Sequence, residues 1–143
     1  MSLKYPDDAK SAEFYKIAAV FFRSTGATPR STGATPVSAL LVLTNLPDRA
    51  AAERLADILI ERRLAACVNI LAPCRSVYRW KGAVQHDEEH PMLIKTTAER
   101  YAALERAIRA EHPYELPEVI AVPLERGLPE YLQWVAAETS GGA

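Results

Sequence analysis

Two short stretches concentrate side chains that can ligate a metal or move a proton. The first is HDEEH, residues 86–90. On a helix, His86 and His90 would chelate as an i, i+4 pair, but Pro91 pushes His90 out of helical geometry. On a strand, His86, Glu88 and His90 share one face at a spacing of about 7 Å, so two of them can share a borderline cation. The plainer reading is a solvated hairpin arm. The second stretch is HPYELPEVIAVP, residues 112–123, which gathers His112, Tyr114, Glu115 and Glu118 around two prolines, ahead of an apolar run. His112 suits a helix C-terminus, where an imidazolium gains about 0.3–1 kcal/mol. Pro113 and Pro117 stop the helix and prevent its restart, which predicts a rigid turn with polar side chains held near a strand that begins at about Glu118.

The chain has two thiols, Cys67 and Cys74. Their spacing fits neither a C-x-x-C redox pair nor a zinc knuckle, and two cysteines are too few for a disulfide framework, which points to a reducing cytoplasm. On one uninterrupted strand their odd offset would place them on opposite faces, roughly 23 Å apart at ~3.3 Å per residue. Cys67, in small apolar company, reads first as a core thiol. With 17 basic and 18 acidic residues, the charge is balanced. That argues against a nucleic-acid partner, which needs a basic face. No segment reaches the length of a membrane span.

The elements that must position these groups follow from periodicity. Residues 39–46, ALLVLTNL, are a buried strand ending before Pro47, and Asp48 is placed to cap a helix that carries Leu55, Ile58 and Leu59 inward and runs to about Arg63. ACVNILAPCRSVYRW is a long strand with a bulge near Pro73, and KGA at 81–83 turns it into a return strand through residue 97. Thr96 and Glu99 form a candidate capping box for a helix with an inner stripe of Tyr101, Leu104 and Ile108, closed by His112-Pro113. EVIAVPL is the last strand, and a final helix with Pro129 in its first turn should bury Leu132 and Val135. The fold class is α+β. The order is the ferredoxin-like β-α-β-β-α-β sandwich, with a long hairpin between its second and third strands and a C-terminal helix. Strands apolar on both sides, as in LLVL and VIAV, imply that the sheet face away from the helices is covered by another copy of the chain.

Residues 1–38 are of a different kind. RSTGATPRSTGATP is one heptapeptide repeated, with a composition that cannot build a core, so a disordered extension is expected. Phe14, Ile17 and Phe21 leave room for a short helix within it. The expected organisation is an extension at 1–38, a domain at 39–139 and a tail at 140–143.

The strings RRLAACVNI, SVYRWKGAVQ, MLIKTT, HPYELPEVIAVPL and YLQWV, in this order and spacing, closely resemble the CutA divalent-cation-tolerance family. The resemblance spans about residues 39–138. It implies the ferredoxin-like fold and a homotrimer whose sheets and hairpins meet. It further implies a role in tolerance of copper or other divalent cations without a required cofactor or an enzymatic reaction. The motifs place Cys67, Trp80, Lys95, His112, Tyr114 and Glu118 in or behind an inter-subunit cleft, and Glu89 at an acidic hairpin position. The metal-ligand candidates are then His112 and Cys67, with His86, Glu89 and His90 behind them. The rival expectation is a trimer similar to the PII type that senses an anionic small molecule through Lys95, His112 and Tyr114. The same strand order also serves RNA-binding modules and acylphosphatase-like enzymes. Here the first strand has no stacking aromatic, and no glycine-rich phosphate loop follows it.

Overall fold

A computed structural model describes residues 37–141. The expected disorder and short helix within residues 1–36 lie outside them, as do the last two residues of the tail. Eight elements follow in order: β1 (Ala39–Leu46), α1 (Arg49–Glu61), β2 (Cys67–Ile70), β3 (Cys74–Trp80), β4 (Ala83–Thr97), α2 (Ala98–Glu111), β5 (Ile120–Pro123) and α3 (Pro129–Thr139). The sheet runs β2-β4-β1-β5, with β3 beside the outer half of β4, and every pairing is antiparallel. This is the ferredoxin-like arrangement. β1 pairs with residues 90–97 of β4, whereas β3 pairs with residues 83–89. The outer half of β4 and β3 thus form a two-stranded ribbon that leaves the sheet.

Alternation sorts the faces. Val42, Thr44 and Leu46 of β1 and Met92, Ile94 and Thr96 of β4 are buried beneath α1 and α2 with Leu55, Leu59, Leu104 and Ile108. Each large aliphatic side chain so buried contributes roughly 1.5–3 kcal/mol. Asp48 caps α1 as expected, its Oδ1 accepting from the Ala51 amide at 2.8 Å. α1 closes earlier than its charge pattern suggests. Arg63 is left-handed (φ 52°), the Arg63 amide donates to Ile60 and the Leu64 amide to Leu59, at 3.0 and 2.9 Å. That is a Schellman closure with arginine where glycine is usual.

The long strand is broken where Pro73 marks it. Ile70 pairs with Met92 and Cys74 with Glu89, so three residues, 71–73, face two on β4: a bulge. With the strand interrupted there, the opposite-face placement that an uninterrupted strand would give the cysteines does not apply. Cys67 pairs with Lys95 and Cys74 with Glu89, both odd positions of β4, so both thiols share a face. The capping box also fails. Thr97 is the N-cap of α2 and makes no side-chain capping bond, while the Thr96 hydroxyl turns inward to donate to the Leu64 carbonyl at 2.7 Å. A buried strand residue has a backbone acceptor closer than the helix it precedes.

The face away from α1 and α2 carries Leu41, Leu43, Leu93, Ile120 and Val122, the last two exposed. α3 covers one end of it: Thr139 reaches Thr97 at 3.5 Å, and Tyr131 lies beside Cys67. Within α3, Val135 and Thr139 are the buried pair and Leu132 is half-buried, because the helix seats its last turns on the sheet. The remainder of that face is open in the single chain.

Candidate functional site

A cavity of about 780 Å³ lies between the ribbon and the segment that joins α2 to β5. Ser76, Tyr78 and Trp80 of β3 line one wall; Tyr114, Glu115, Glu118 and Ile120 line the other; Asn45 and Glu89 lie at the sheet end. The ribbon holds its side chains in place through a two-residue turn, Lys81-Gly82, with φ of 47° and 85°. Trp80 pairs with Ala83 across it, a twist that matches the strands. Tyr78 hydrogen-bonds Asp87 on the same face, and Asn45 Nδ2 donates to Glu118.

The joining segment is fixed by His112. α2 ends there in extended geometry (φ −77°, ψ 134°), the helix stop expected before Pro113. The imidazole is 8% exposed. Its Nε2 lies 2.8 Å from the Asn45 carbonyl, while its Nδ1 accepts from the Tyr114 amide at 3.1 Å. A carbonyl can only accept, so the ring is neutral with its proton on Nε2. Desolvation lowers the His112 pKa, against the opposing pull of the Asn45 hydrogen bond and the Glu89 charge. Tyr114 then packs its ring 5.0 Å from that of His112. Burial, with Glu89 close by, pushes the Tyr114 hydroxyl up to about 12. Glu89 is 6% exposed, a carboxylate built into the floor of the cavity.

Sequence similarity puts a family on this geometry. The family described as CutA1 divalent ion tolerance protein matches residues 40–138. The chain belongs to the CutA family. It is 42% identical over 99 residues to the divalent-cation tolerance protein CutA of Thermus thermophilus, covering 69% of this chain and 96% of that protein. It is 45% identical over 103 residues to human protein CutA, covering 72% of this chain and 56% of that one. It spans little more than half the length of its animal and plant relatives. Among solved structures, CutA1 from Oryza sativa superposes with a TM-score of 0.72 at 42% identity, over 74% of this chain and 97% of the other. The CutA of Xylella fastidiosa gives 0.71 at 42% identity, over 72% and 99%.

Within the single chain, the residues that the CutA motifs single out fall in two groups. Trp80, Tyr114, Glu118 and Glu89 line the cavity, and His112 sits behind its wall. Cys67 and Lys95 lie on the same sheet face but six residues farther along β4, about 20 Å from Glu89 at ~3.3 Å per residue. His86 and His90 share the opposite face of β4, His86 exposed and His90 half-buried. Among the described residues, no three His, Cys, Asp or Glu side chains converge on a point. Asn45, Ser76 and Tyr78 complete the cavity and were missed in the sequence. Tyr78 and Ser76 were within reach, since they alternate with Trp80 on a strand, whereas Asn45 gave no signal.

Proposed function

We propose that this CutA-family chain serves divalent-cation tolerance by binding a divalent cation directly in the cavity, as a homotrimer in the cytoplasm and without a required cofactor. The observation that carries the reading is the lining: Glu89, Glu115 and Glu118 with the Asn45 amide and two tyrosines, and no basic side chain. Lys81 lies at the rim, 3.2 Å from Glu115. Carboxylate and amide oxygens suit Mn2+ and similar ions better than Cu+. Copper capture by His112 would cost the bond its Nδ1 accepts from Tyr114. The same lining counts against an anionic ligand there. A trimer is supported by Ile120 and Val122 on the open face and by Val77 and Val84 on the ribbon, all exposed in the single chain, because a two-stranded ribbon is marginal by itself.

The test is sedimentation followed by calorimetric titration of the full chain with Mn2+, Zn2+ and Cu2+. Glu118→Gln should weaken binding at least tenfold, about 1.4 kcal/mol, with the trimer intact. A stable monomer refutes the assembly. Unchanged affinity in Glu118→Gln, or loss of binding in a His86→Ala, His90→Ala double variant, refutes the cavity as the site.

A further inference from the structure

The cavity leaves Cys67 and Lys95 unused. They are direct partners in the β2–β4 register, and Lys95 Nζ lies 3.7 Å from Cys67 Sγ. Asn69, two residues along β2, accepts a second hydrogen bond from the same ammonium. Tyr131 of α3 lies beside Cys67 and closes the cluster. The thiol is half-buried rather than sealed. The other cysteine, Cys74, has a different setting: it is exposed, with the Ser76 hydroxyl 3.9 Å from its sulfur. A primary amine held against a sulfur by strand register is placed to intercept that sulfur once it becomes electrophilic.

We propose that Cys67 and Lys95 form a peroxide-responsive pair that closes a reversible sulfur–nitrogen bridge between β2 and β4. Hydrogen peroxide oxidises the Cys67 thiol to a sulfenic acid: the sulfur gains one oxygen, the peroxide O–O bond breaks and one water leaves. The Lys95 ammonium gives a proton to solvent, and the free amine attacks the sulfenic sulfur. An S–N bond forms, the S–O bond breaks, and the departing hydroxide takes the second amine proton away as water. The product is a sulfenamide, two hydrogens lighter than the reduced protein. A dithiol reverses it: one thiol attacks the sulfur and releases the amine, and the second frees the Cys67 thiol as the reductant becomes a disulfide. Closure removes the Lys95 charge, ties the β2 edge to β4, and protects the sulfur from further oxidation. The proposal rests on the pair's geometry and is independent of cation binding in the cavity.

The test uses the full chain carrying Cys74→Ser, treated with hydrogen peroxide and read by intact mass and proteolytic mapping. The expected product is lighter by two hydrogens, yields one cross-linked peptide joining Cys67 to Lys95, and reverts with dithiothreitol. In Lys95→Arg, which keeps the positive charge, and in Lys95→Met, the bridge should vanish. Dimedone should then trap a sulfenic acid at Cys67 that otherwise proceeds to the sulfinic acid. Circular dichroism of each variant before treatment confirms the fold. Oxygen addition alone with Lys95 present, or a bridge that persists in the Lys95 variants, overturns the proposal.

Discussion

His112→Ala should destabilise the protein and flatten its response to mild acid. The imidazole makes two bonds to backbone groups, at 2.8 Å to the Asn45 carbonyl and 3.1 Å to the Tyr114 amide. Each contributes about 1 kcal/mol net, and a partner left buried and unsatisfied costs about 1–3 kcal/mol. The Asn45 carbonyl lies beside a cavity that admits water, which limits its penalty. The Tyr114 amide and the lost ring packing carry the rest, giving about 3 kcal/mol in all. The pH dependence has a definite sign. Desolvation holds the His112 pKa below its ordinary 6.5, so under mild acid the unfolded state binds the proton first. Its contribution to stability is complete above pH 6.5 and is lost as pH falls through the lowered folded value. Urea unfolding at one fixed protein concentration, at pH 7.5 and pH 5.5, measures both effects. The wild type should lose more stability than His112→Ala across that interval, and His86 and His90 cancel in the difference. A change of less than about 0.5 kcal/mol, or identical pH slopes, would refute the buried neutral imidazole as the anchor of this segment.

Three further substitutions test the local geometry. Thr96→Val keeps the shape but removes the donor to Leu64, for an expected loss of about 1–2 kcal/mol. Glu99→Gln should cost only the salt-sensitive few tenths of a kcal/mol of a charge near a helix N-terminus, and equal losses would restore the capping box. Arg63→Gly should stabilise by about 0.5–1 kcal/mol, because glycine adopts the left-handed conformation without strain. A net loss in thermal unfolding would mean that Arg63, 3.9 Å from Glu138, contributes more through its side chain than its backbone costs.

The sequence was legible where a single period decides the outcome. The apolar runs of β1 and β4, the Asp48 cap and the helix stop at His112-Pro113 are local effects, and they stand in the structure as expected. What eluded the sequence depends on counting across the fold. From the pairing of Trp80 with Ala83, an unbroken ladder would set Cys67 opposite Thr96, on the helix-facing side. The one extra residue at 71–73 moves it opposite Lys95. Pro73 announces an interruption but not its length. His112 was hidden in another way: both its partners are backbone atoms, and one is 67 residues away, so no pattern of side-chain types encodes them. Thr96 was misread because a threonine beside a helix start serves a cap and a strand equally well.

That extra residue has a consequence for how such a site is kept by inheritance. Three-nucleotide deletions that remove one amino acid from 71–73 touch no core side chain and no cavity residue, and they leave two residues facing two on β4, so both ladders can continue in their present registers. The turn at Lys81-Gly82 holds Trp80 opposite Ala83, and the aromatic wall takes its register from there. A deletion within β3 itself has no such slack: without Arg79, Val77 and Arg75 would come opposite Gln85 and Asp87, and the cavity would exchange an aromatic ring for a guanidinium group. In a lineage of such proteins, the exposed connection can change length by one codon while the strand beside it cannot.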